Sequence, residues 1–319
     1  MTLLIFGVLA NLKNGQTKMS HVSKRLHPIH FGMVVIVLMW GLVFVGVKKV
    51  LEEMDVIQLV VIRFWIMALI FNVIALSRRS TRPRFSRFDV KTLVFAGILA
   101  VPLSQLPVVN GQRFLSPPLA SLLMTTSPAW TALLAVFFLG ERFRKLQVGG
   151  FIVALAGAVV VVLTGTGHDN FVIHNPWGAA LTLISPLAWA GFTVVSKPFS
   201  VRANPITTLA VSITFGVIAL APLYPHAMEG ITSYKLSTWY WLLYLVVGGS
   251  VIPYIVWFYA LRVLPASKTV AYMYAIPLAA LVWSWAILGI VPAVASLLGG
   301  LLILVGVVIV QLSKPATIA

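Results

Sequence analysis

Residues 115–140 read LSPPLASLLMTTSPAWTALLAVFFLG, and residues 264–289, which lie 149 positions later, read LPASKTVAYMYAIPLAALVWSWAILG. At this offset Met124 aligns with Met273, Pro128 with Pro277, and Leu139-Gly140 with Leu288-Gly289. Without a gap, the same offset aligns Trp40 with Trp189, Lys48 with Lys197, Arg113 with Arg262, Gly150 with Gly299, and Gly157 with Gly306. An internal repeat of this length in apolar sequence is typical of membrane proteins built from two related halves.

The composition places the chain in a membrane. Hydrophobic residues make up 60% of it and charged residues 9%, with a mean hydropathy of +1.01. Apolar stretches of 18 or more residues can cross the hydrocarbon core of a bilayer. Ten such spans are predicted: 31–49, 57–76, 92–110, 116–139, 146–164, 177–197, 205–223, 239–261, 267–289 and 293–312. Because five spans per half is an odd number, we expect an all-α polytopic protein made of two inverted five-helix repeats.

The net charge of +16 would suggest nucleic-acid binding in a soluble protein, but its distribution favours another interpretation. When Lys and Arg are sorted by the alternating sides of ten spans, one side holds 18 of them. The opposite side holds four: Lys48, Lys49, Arg113 and Lys235. The positive-inside rule makes the richer side cytoplasmic, so both termini are predicted to be cytoplasmic.

The predicted domain organisation follows from these spans. It comprises a cytoplasmic N-terminal segment 1–30, a first repeat 31–164, an external linker 165–176, a second repeat 177–312 and a cytoplasmic tail 313–319. Either Met1 or Met19 could be the true start. The chain contains no cysteine, which excludes disulfides, thiolate metal sites and cysteine nucleophiles.

Several short motifs occur in a fixed order on the spans. They are WGLVFVGVK at 40–48, Arg63-Phe64, ASLL at 120–123 followed by Pro128 and LGER at 139–142, and YALR at 259–262. In order and spacing the chain resembles EamA-type members of the drug/metabolite transporter superfamily over residues 31–312. The resemblance implies a ten-helix carrier of the bacterial inner membrane that exports amino acids or related metabolites. One departure is that LGE at 139–141 becomes LGI at 288–290, so Glu141 has no counterpart in the second half.

Polar and aromatic residues inside the spans are the candidates for a substrate pathway, because polar groups in membranes usually face the bundle interior or a cavity. The offset matches the polar stripe Ser121, Thr125 and Pro128 with a stripe in the ninth span that includes Tyr274, Pro277 and Trp285, and it matches Gln105 with Tyr254. The repeat favours this stripe over the other aromatic stripe of that span, Tyr272 with Trp283, as the one that faces inward. The candidate substrate-binding residues are Trp40, Ser104, Gln105, Asn110, Ser121, Thr125, Trp189, Tyr254, Trp257, Tyr274 and Trp285. Such a pocket suits a small zwitterion or a partly apolar metabolite. Packing between helices is the alternative for each residue.

Two prolines and one arginine suggest how a pathway could move. Pro128 and Pro277 are repeat mates and candidate hinges for alternating access, with a fixed kink as the alternative. Arg63 is the one formal charge well inside a span, and Ser212 occupies its place in the second half. It is a candidate gate or a site for a substrate carboxylate, unless it pairs with helix-end carbonyls or nearby acids.

The residues missing from the spans exclude other functions. The acids Glu52, Glu53, Asp55, Asp89, Glu141, Asp169 and Glu229 all lie at span ends or in loops, as do the six histidines. The sequence therefore predicts no catalytic site, no metal site, no cofactor and no buried proton relay. We expect a transporter rather than an enzyme, with a small-molecule substrate and the lipid bilayer as partners. A multidrug or amphipathic-compound exporter is the alternative, and the oligomeric state is left open.

Overall fold

The structure is a computed structural model that describes residues 28–77, 85–115, 117–141, 144–164, 176–289 and 294–313. Most of the predicted N-terminal segment, with the candidate start Met19, lies outside these residues. Residues 165–175 of the predicted linker and 314–319 of the predicted tail lie outside them too.

The described residues form helices and no strands. Fifteen α-helices follow one another: α1 Pro28–Val50, α2 Val56–Ser77, α3 Arg87–Ala100, α4 Pro102–Gly111, α5 Pro117–Met124, α6 Ser127–Leu139, α7 Lys145–Thr164, α8 Pro176–Arg202, α9 Pro205–Ile218, α10 Tyr224–Ala227, α11 Leu236–Val246, α12 Ile252–Val263, α13 Ala266–Ala271, α14 Ile276–Leu288 and α15 Val294–Leu312. A π-helical segment, Val247–Val251, joins α11 to α12, and a 3-10 turn, Tyr272–Ala275, joins α13 to α14.

Seven helices or joined helices within the described residues are long and apolar enough to cross a membrane. The pair α9 and α10, bent by 53°, makes an eighth if it counts as one span. Two shorter apolar helices, Lys145–Val160 and Leu297–Leu312, fall where the fifth and tenth spans were predicted. The prediction of an all-helical polytopic membrane protein is confirmed, and the ten-span inverted arrangement remains a prediction.

The two helix pairs that carry the repeated prolines are interrupted at matching places. Between α5 and α6 the N–H of Thr125 bonds to the carbonyl of Leu122 at 2.8 Å, which is the tighter 3-10 pattern. Pro128 then lies in the first turn of α6, and Pro277 lies in the first turn of α14 after its own 3-10 turn. A proline is tolerated there because the first turn needs no N–H donor. Both helices end at a glycine with a positive φ, 66° at Gly140 and 71° at Gly289, which caps the last turn.

Helices α7 and α15 touch through four glycines. A Cβ atom at Gly150 would lie 2.9 Å from the carbonyl oxygen of Gly306, and one at Gly157 would lie 2.6 Å from that of Gly299. Because the offset relates Gly150 to Gly299 and Gly157 to Gly306, each contact is the repeat image of the other. A reciprocal contact of this kind is what a two-fold relation between halves produces.

At one end of the bundle, the turn between α1 and α2 is tied to the start of α11. A carboxylate oxygen of Glu53 accepts hydrogen bonds from the Thr238 hydroxyl at 2.7 Å and from the backbone N–H of Lys235 at 2.9 Å. These bonds, the first above all, lower the pKa of Glu53 from its ordinary 4.5 to about 2. Nearby, Asp55 contacts the Nε2 atom of His226 at 2.7 Å. These contacts fix the ends of helices that line the cavity described below.

Replacing Gly157 with alanine is expected to destabilise the protein. The new methyl would lie 2.6 Å from the backbone oxygen of Gly299 and 2.6 Å from the backbone nitrogen of Ile303, so two helices must move apart. A cost of about 1–3 kcal/mol is typical of such overpacking. Gly149→Ala is the control, since nothing lies within 4 Å of its Cβ position. Thermal unfolding in detergent should show a lower midpoint for Gly157→Ala alone, and equal midpoints would contradict the close packing.

The contribution of Glu53 to stability is expected to depend on pH. Because its pKa is lower in the folded protein, its contribution is fully present above about pH 4.5 and is lost as the pH falls towards 2. Glu53→Gln should therefore have a lower unfolding midpoint than the wild type at pH 7 and should approach it in acid. Glu52→Gln serves as the control, because Glu52 is more exposed and pairs with Lys49 on its own turn. A difference that does not change with pH would contradict this account.

Candidate functional site

A cavity lies in the middle of the bundle. The space between its walls amounts to about 620 Å³, including the part open to the surroundings. Its lining comes from α1, α2, α4, α5, α8, α12 and α14, from the π-helical segment Val247–Val251 and from the 3-10 turn Tyr272–Ala275. The lining residues are Trp40, Val43, Phe44, Val47, Arg63, Gln105, Val108, Val109, Gln112, Met124, Trp189, Gly249, Tyr254, Met273 and Ile276.

The two repeat mates Trp40 and Trp189 meet on the wall of this cavity. Their ring centroids are 5.8 Å apart and the rings are nearly perpendicular, at 89°. Both pack against Trp257, at 5.3 Å and 5.6 Å, and Trp189 also packs against Tyr254 at 5.3 Å. Edge-to-face contacts of this kind stabilise aromatic clusters beyond the area that they bury. The cavity wall therefore brings together residues from the first and the second half of the chain.

Arg63 enters the cavity wall from α2 and is 4% exposed. Its Nε atom donates to the Leu245 carbonyl at 3.1 Å and to the Ser250 hydroxyl at 2.8 Å. Its Nη2 atom donates to the Gly249 carbonyl at 3.3 Å. All three acceptors lie on or beside the π-helical segment, where the usual backbone hydrogen bonds are displaced. The guanidinium therefore satisfies acceptors that the local change of helix type makes available.

Gly249 permits the close approach between this segment and its neighbours. A Cβ atom there would lie 2.7 Å from a methyl carbon of Val43 and 3.2 Å from Nη2 of Arg63. The Gly249 carbonyl also accepts a hydrogen bond from Nε1 of Trp40 at 3.3 Å. One backbone group thus joins residues from α1 and α2 to the joint between α11 and α12.

The cavity wall is rich in hydrogen-bond donors and poor in acids. Trp189 Nε1 and the Tyr254 hydroxyl are buried, and neither has a hydrogen-bond partner among the described residues. Arg63 is the charged residue of the lining, which includes no carboxylate. The described residues also contain no group of three or more His, Asp or Glu side chains that could hold a metal ion. This arrangement suits the binding of a small molecule with acceptor atoms, among apolar and aromatic surface.

The structure places the predicted site residues in three kinds of surroundings. Trp40, Gln105, Trp189 and Tyr254 line the cavity, as does the candidate gate Arg63. Five others are buried but do not line the cavity: Ser104, Ser121, Thr125, Trp257 and Tyr274. Asn110 is half-buried at the end of α4 without lining the cavity, and Trp285 is 53% exposed on the surface of the bundle.

Several of these buried residues contact neighbouring residues or helices. The Ser104 hydroxyl accepts a hydrogen bond from Nε2 of Gln105 at 3.2 Å, and Tyr274 packs against Phe151 with ring centroids 6.0 Å apart. The Thr125 hydroxyl donates to the Leu122 carbonyl at 2.6 Å, so this carbonyl has a hydrogen-bond donor at the break between α5 and α6. The candidate hinges Pro128 and Pro277 are buried at the restart of α6 and α14.

Sequence reasoning did not identify Gly249 or the apolar lining residues Phe44, Met124 and Met273. The signal for Gly249 was the Gly248-Gly249-Ser250 run inside an otherwise apolar span, because small residues there indicate a close approach. Apolar residues on the cavity wall cannot be told from core residues by sequence alone. Met124 and Met273 are repeat mates at the interruptions: Met124 ends α5, and Met273 lies in the 3-10 turn between α13 and α14.

Glu141, which has no counterpart in the second half of the chain, contacts that half directly. Its carboxylate accepts hydrogen bonds from the backbone N–H of Ala266 at 2.7 Å and from the Ser267 hydroxyl at 2.7 Å. A residue that follows α6 in the first half thus satisfies the start of α13 in the second. One carboxylate therefore connects the end of α6 to the start of α13.

The helices surround a cavity lined by polar and aromatic residues from both halves of the chain. Such an arrangement is typical of membrane transport proteins. The profile of the EamA-like transporter family matches residues 27–163 and again residues 176–312. The chain therefore belongs to the EamA-like transporter family.

Relatives and one solved structure resemble most of the chain. A "Probable terminal-alkyne amino-acid exporter" of Streptantibioticus cattleyicolor is 26% identical over 281 residues, covering 88% of this chain and 92% of the relative. An uncharacterized transporter of Archaeoglobus fulgidus is 27% identical, covering 85% and 94%. The uncharacterized inner membrane transporter YedA of Escherichia coli (strain K12) is 24% identical, covering 81% and 82%. One crystal structure shares the fold, with a TM-score of 0.70 at 19% identity, covering 89% of this chain and 96% of the other.

Single cysteines are expected to distinguish the cavity wall from the lipid-facing surface, since the native chain contains none. Gln105→Cys places a thiol on the cavity wall, while Leu103→Cys places one on the outer surface, where Leu103 is 42% exposed. Cysteine reacts as the thiolate, which forms readily only in contact with water. A charged thiosulfonate reagent should therefore modify Gln105→Cys faster than Leu103→Cys, by about tenfold or more. The rates are measured in membrane vesicles, and equal rates would argue against a wetted cavity at this position.

Proposed function

We propose that this protein is a secondary transporter that exports amino acids or related small metabolites across a bacterial cell membrane by alternating access. Ten spans form two inverted repeats in this proposal, residues 31–164 and 177–312, and both termini are cytoplasmic. The reciprocal glycine contacts between α7 and α15 support the inverted relation. So does the packing of α1 against α14, because the repeat image of that pair, α8 against α6, is also in contact.

The observation that carries the proposal is the contact between Trp40 and Trp189 on the cavity wall. These residues are repeat mates, so the cavity lies between the two halves, close to the axis that would relate them. In transporters with inverted repeats the two halves exchange conformations, and a site between them is then exposed to either side in turn. A cavity at any other place in the bundle would not gain this property from the repeat.

The matched interruptions at Pro128 and Pro277 are where we place the hinges. Each proline is the second residue of a helix that follows a short 3-10 turn, and a methionine of the cavity wall lies beside or within each turn: Met124 precedes the first, and Met273 is part of the second. A break of this kind lets the two segments of a helix change their angle without the loss of further backbone hydrogen bonds. A movement at either hinge would therefore change the shape of the cavity directly.

The chemistry of the lining supports this substrate class, because its walls combine hydrogen-bond donors with aromatic rings. An ammonium group could lie against the faces of Trp40, Trp189 or Tyr254. The relative from Streptantibioticus cattleyicolor, whose name includes amino-acid export, points to the same class. The sequence places no carboxylate within the spans for a proton relay, so we propose that transport does not use one.

Export of amphipathic or drug-like compounds is the second candidate. The aromatic cluster around Trp40, Trp189 and Trp257 favours it, because such surface binds flat apolar molecules without specific hydrogen bonds. The buried donors on the same wall favour the first candidate, since a purely apolar ligand would leave them without partners.

The proposal is tested by counterflow in liposomes that contain the purified protein. A panel of radiolabelled amino acids should include a few that accumulate in a saturable way against the unlabelled compound, with little change when a pH gradient is imposed. Liposomes without protein provide the background. A lack of counterflow across the panel, together with transport of amphipathic dyes, would favour the second candidate. Accumulation that requires the pH gradient would contradict the absence of a proton relay.

A further inference from the structure

We propose that Arg63 binds a carboxylate of the transported molecule, so that a carboxylate is required for recognition in the cavity. This inference rests on the proposed transport function and names the substrate class of the same site. It assigns the anchoring contact to one side chain.

The charge of Arg63 has no opposite charge near it. Its hydrogen-bond partners are backbone carbonyls and a hydroxyl, and no carboxylate of the described residues lies within ion-pairing distance of it. The described acids lie at helix ends or in the connecting turns. A buried cation without a counter-charge is costly, and neutral acceptors offset only part of that cost. An anion in the cavity would complete the compensation.

Hydrogen-bond accounting leaves part of the guanidinium available to the cavity. Arginine carries five N–H groups. The Nε–H group is shared between Leu245 and Ser250, and one N–H of Nη2 is used by Gly249, while Nη1 has no partner among the described residues. Three N–H groups therefore remain, and Arg63 lines the cavity. Two parallel N–H groups of a guanidinium match the two oxygens of a carboxylate.

The π-helical segment holds the guanidinium in a fixed orientation. Ser250 accepts from Nε and donates to the Leu245 carbonyl at 2.9 Å, so three groups on one segment bind the same edge of the side chain. Fixing this edge reduces the entropy lost when a ligand binds to the remaining N–H groups. A flexible arginine in an open cavity would lack this advantage.

Two further donors stand on the same wall. The Tyr254 hydroxyl and Trp189 Nε1 are buried and have no hydrogen-bond partner among the described residues. Both residues line the cavity together with Arg63. Both donor atoms are fully buried in this conformation, so a ligand would reach them only after the aromatic residues around them move. The preference for an oxyanion therefore rests on the guanidinium of Arg63.

The test compares matched analogues on the wild-type protein. The amino acid that gives the strongest counterflow competes against its own amide and its own decarboxylated amine. We expect both analogues to compete more weakly by about tenfold or more, because each loses a charge-assisted pair of hydrogen bonds. An amide that competes as well as the amino acid would overturn the inference and leave the proposed export function intact.

Variants locate the effect at Arg63. Arg63→Gln should lose the preference for the amino acid over its amide, and Arg63→Lys should regain part of it because the charge returns without the paired geometry. Arg113→Gln is the matched control: it removes an exposed arginine that does not line the cavity, so the preference should persist. Retention of the preference in Arg63→Gln, or its loss in Arg113→Gln, would overturn the assignment.

A binding measurement separates this inference from the proposed function. Thermal unfolding of the wild type in detergent is followed with hexanoate and with hexanamide. Hexanoate alone should raise the unfolding midpoint, because a ligand that binds the folded state stabilises it. Stabilisation by hexanoate without any amino-acid counterflow would support the carboxylate site and contradict amino-acid export. Equal effects of the two compounds would contradict the site, whether or not Arg63→Gln remains folded.

Discussion

A charge buried in an apolar bundle must be compensated within the protein or its cavity, and Arg63 imposes this constraint on the centre of the molecule. The π-helical joint between α11 and α12 supplies carbonyls for one edge of its guanidinium. The Gly249 carbonyl also accepts from Trp40, so the same joint connects α1 with α2. Removing the charge would therefore weaken the contacts of α1, α2 and the α11–α12 joint as well as change the cavity wall. The residues that line the cavity are thus also residues that hold the helices together.

The symmetry of the bundle and the chemistry of the cavity have different origins. Reciprocal contacts such as Gly150 with Gly306 follow from the repeat and provide a scaffold with two similar halves. The groups that distinguish one molecule from another are unequal between the halves. Arg63 stands where the second half has Ser212, and Gln105 stands where it has Tyr254. Equal halves suit an exchange of conformations, while unequal residues provide an oriented site.

The sequence was enough to predict part of the cavity wall, but it also predicted some residues to face the cavity that the structure places elsewhere. Trp40 and Trp189 could be paired because the offset relates them directly. Tyr274 and Trp285 were placed on one stripe by counting α-helical turns, yet Tyr274 is buried and Trp285 is exposed. The 3-10 turn Tyr272–Ala275 interrupts the α-helical phase on which that count depends. The π-helical segment was likewise not predicted, and its contacts with Arg63 and Val43 join residues far apart along the chain.

The sequence by itself determined that this is an all-helical membrane protein with an internal repeat. Hydropathy and a constant offset are properties of the order of residues, and they need no contacts to be recognised. The tertiary structure alone decided which polar residues face a common space and which hydrogen bonds satisfy Arg63. Those outcomes depend on helix rotation and on local changes of helix type, which arise from contacts between residues such as Arg63 and Leu245, 182 positions apart along the chain.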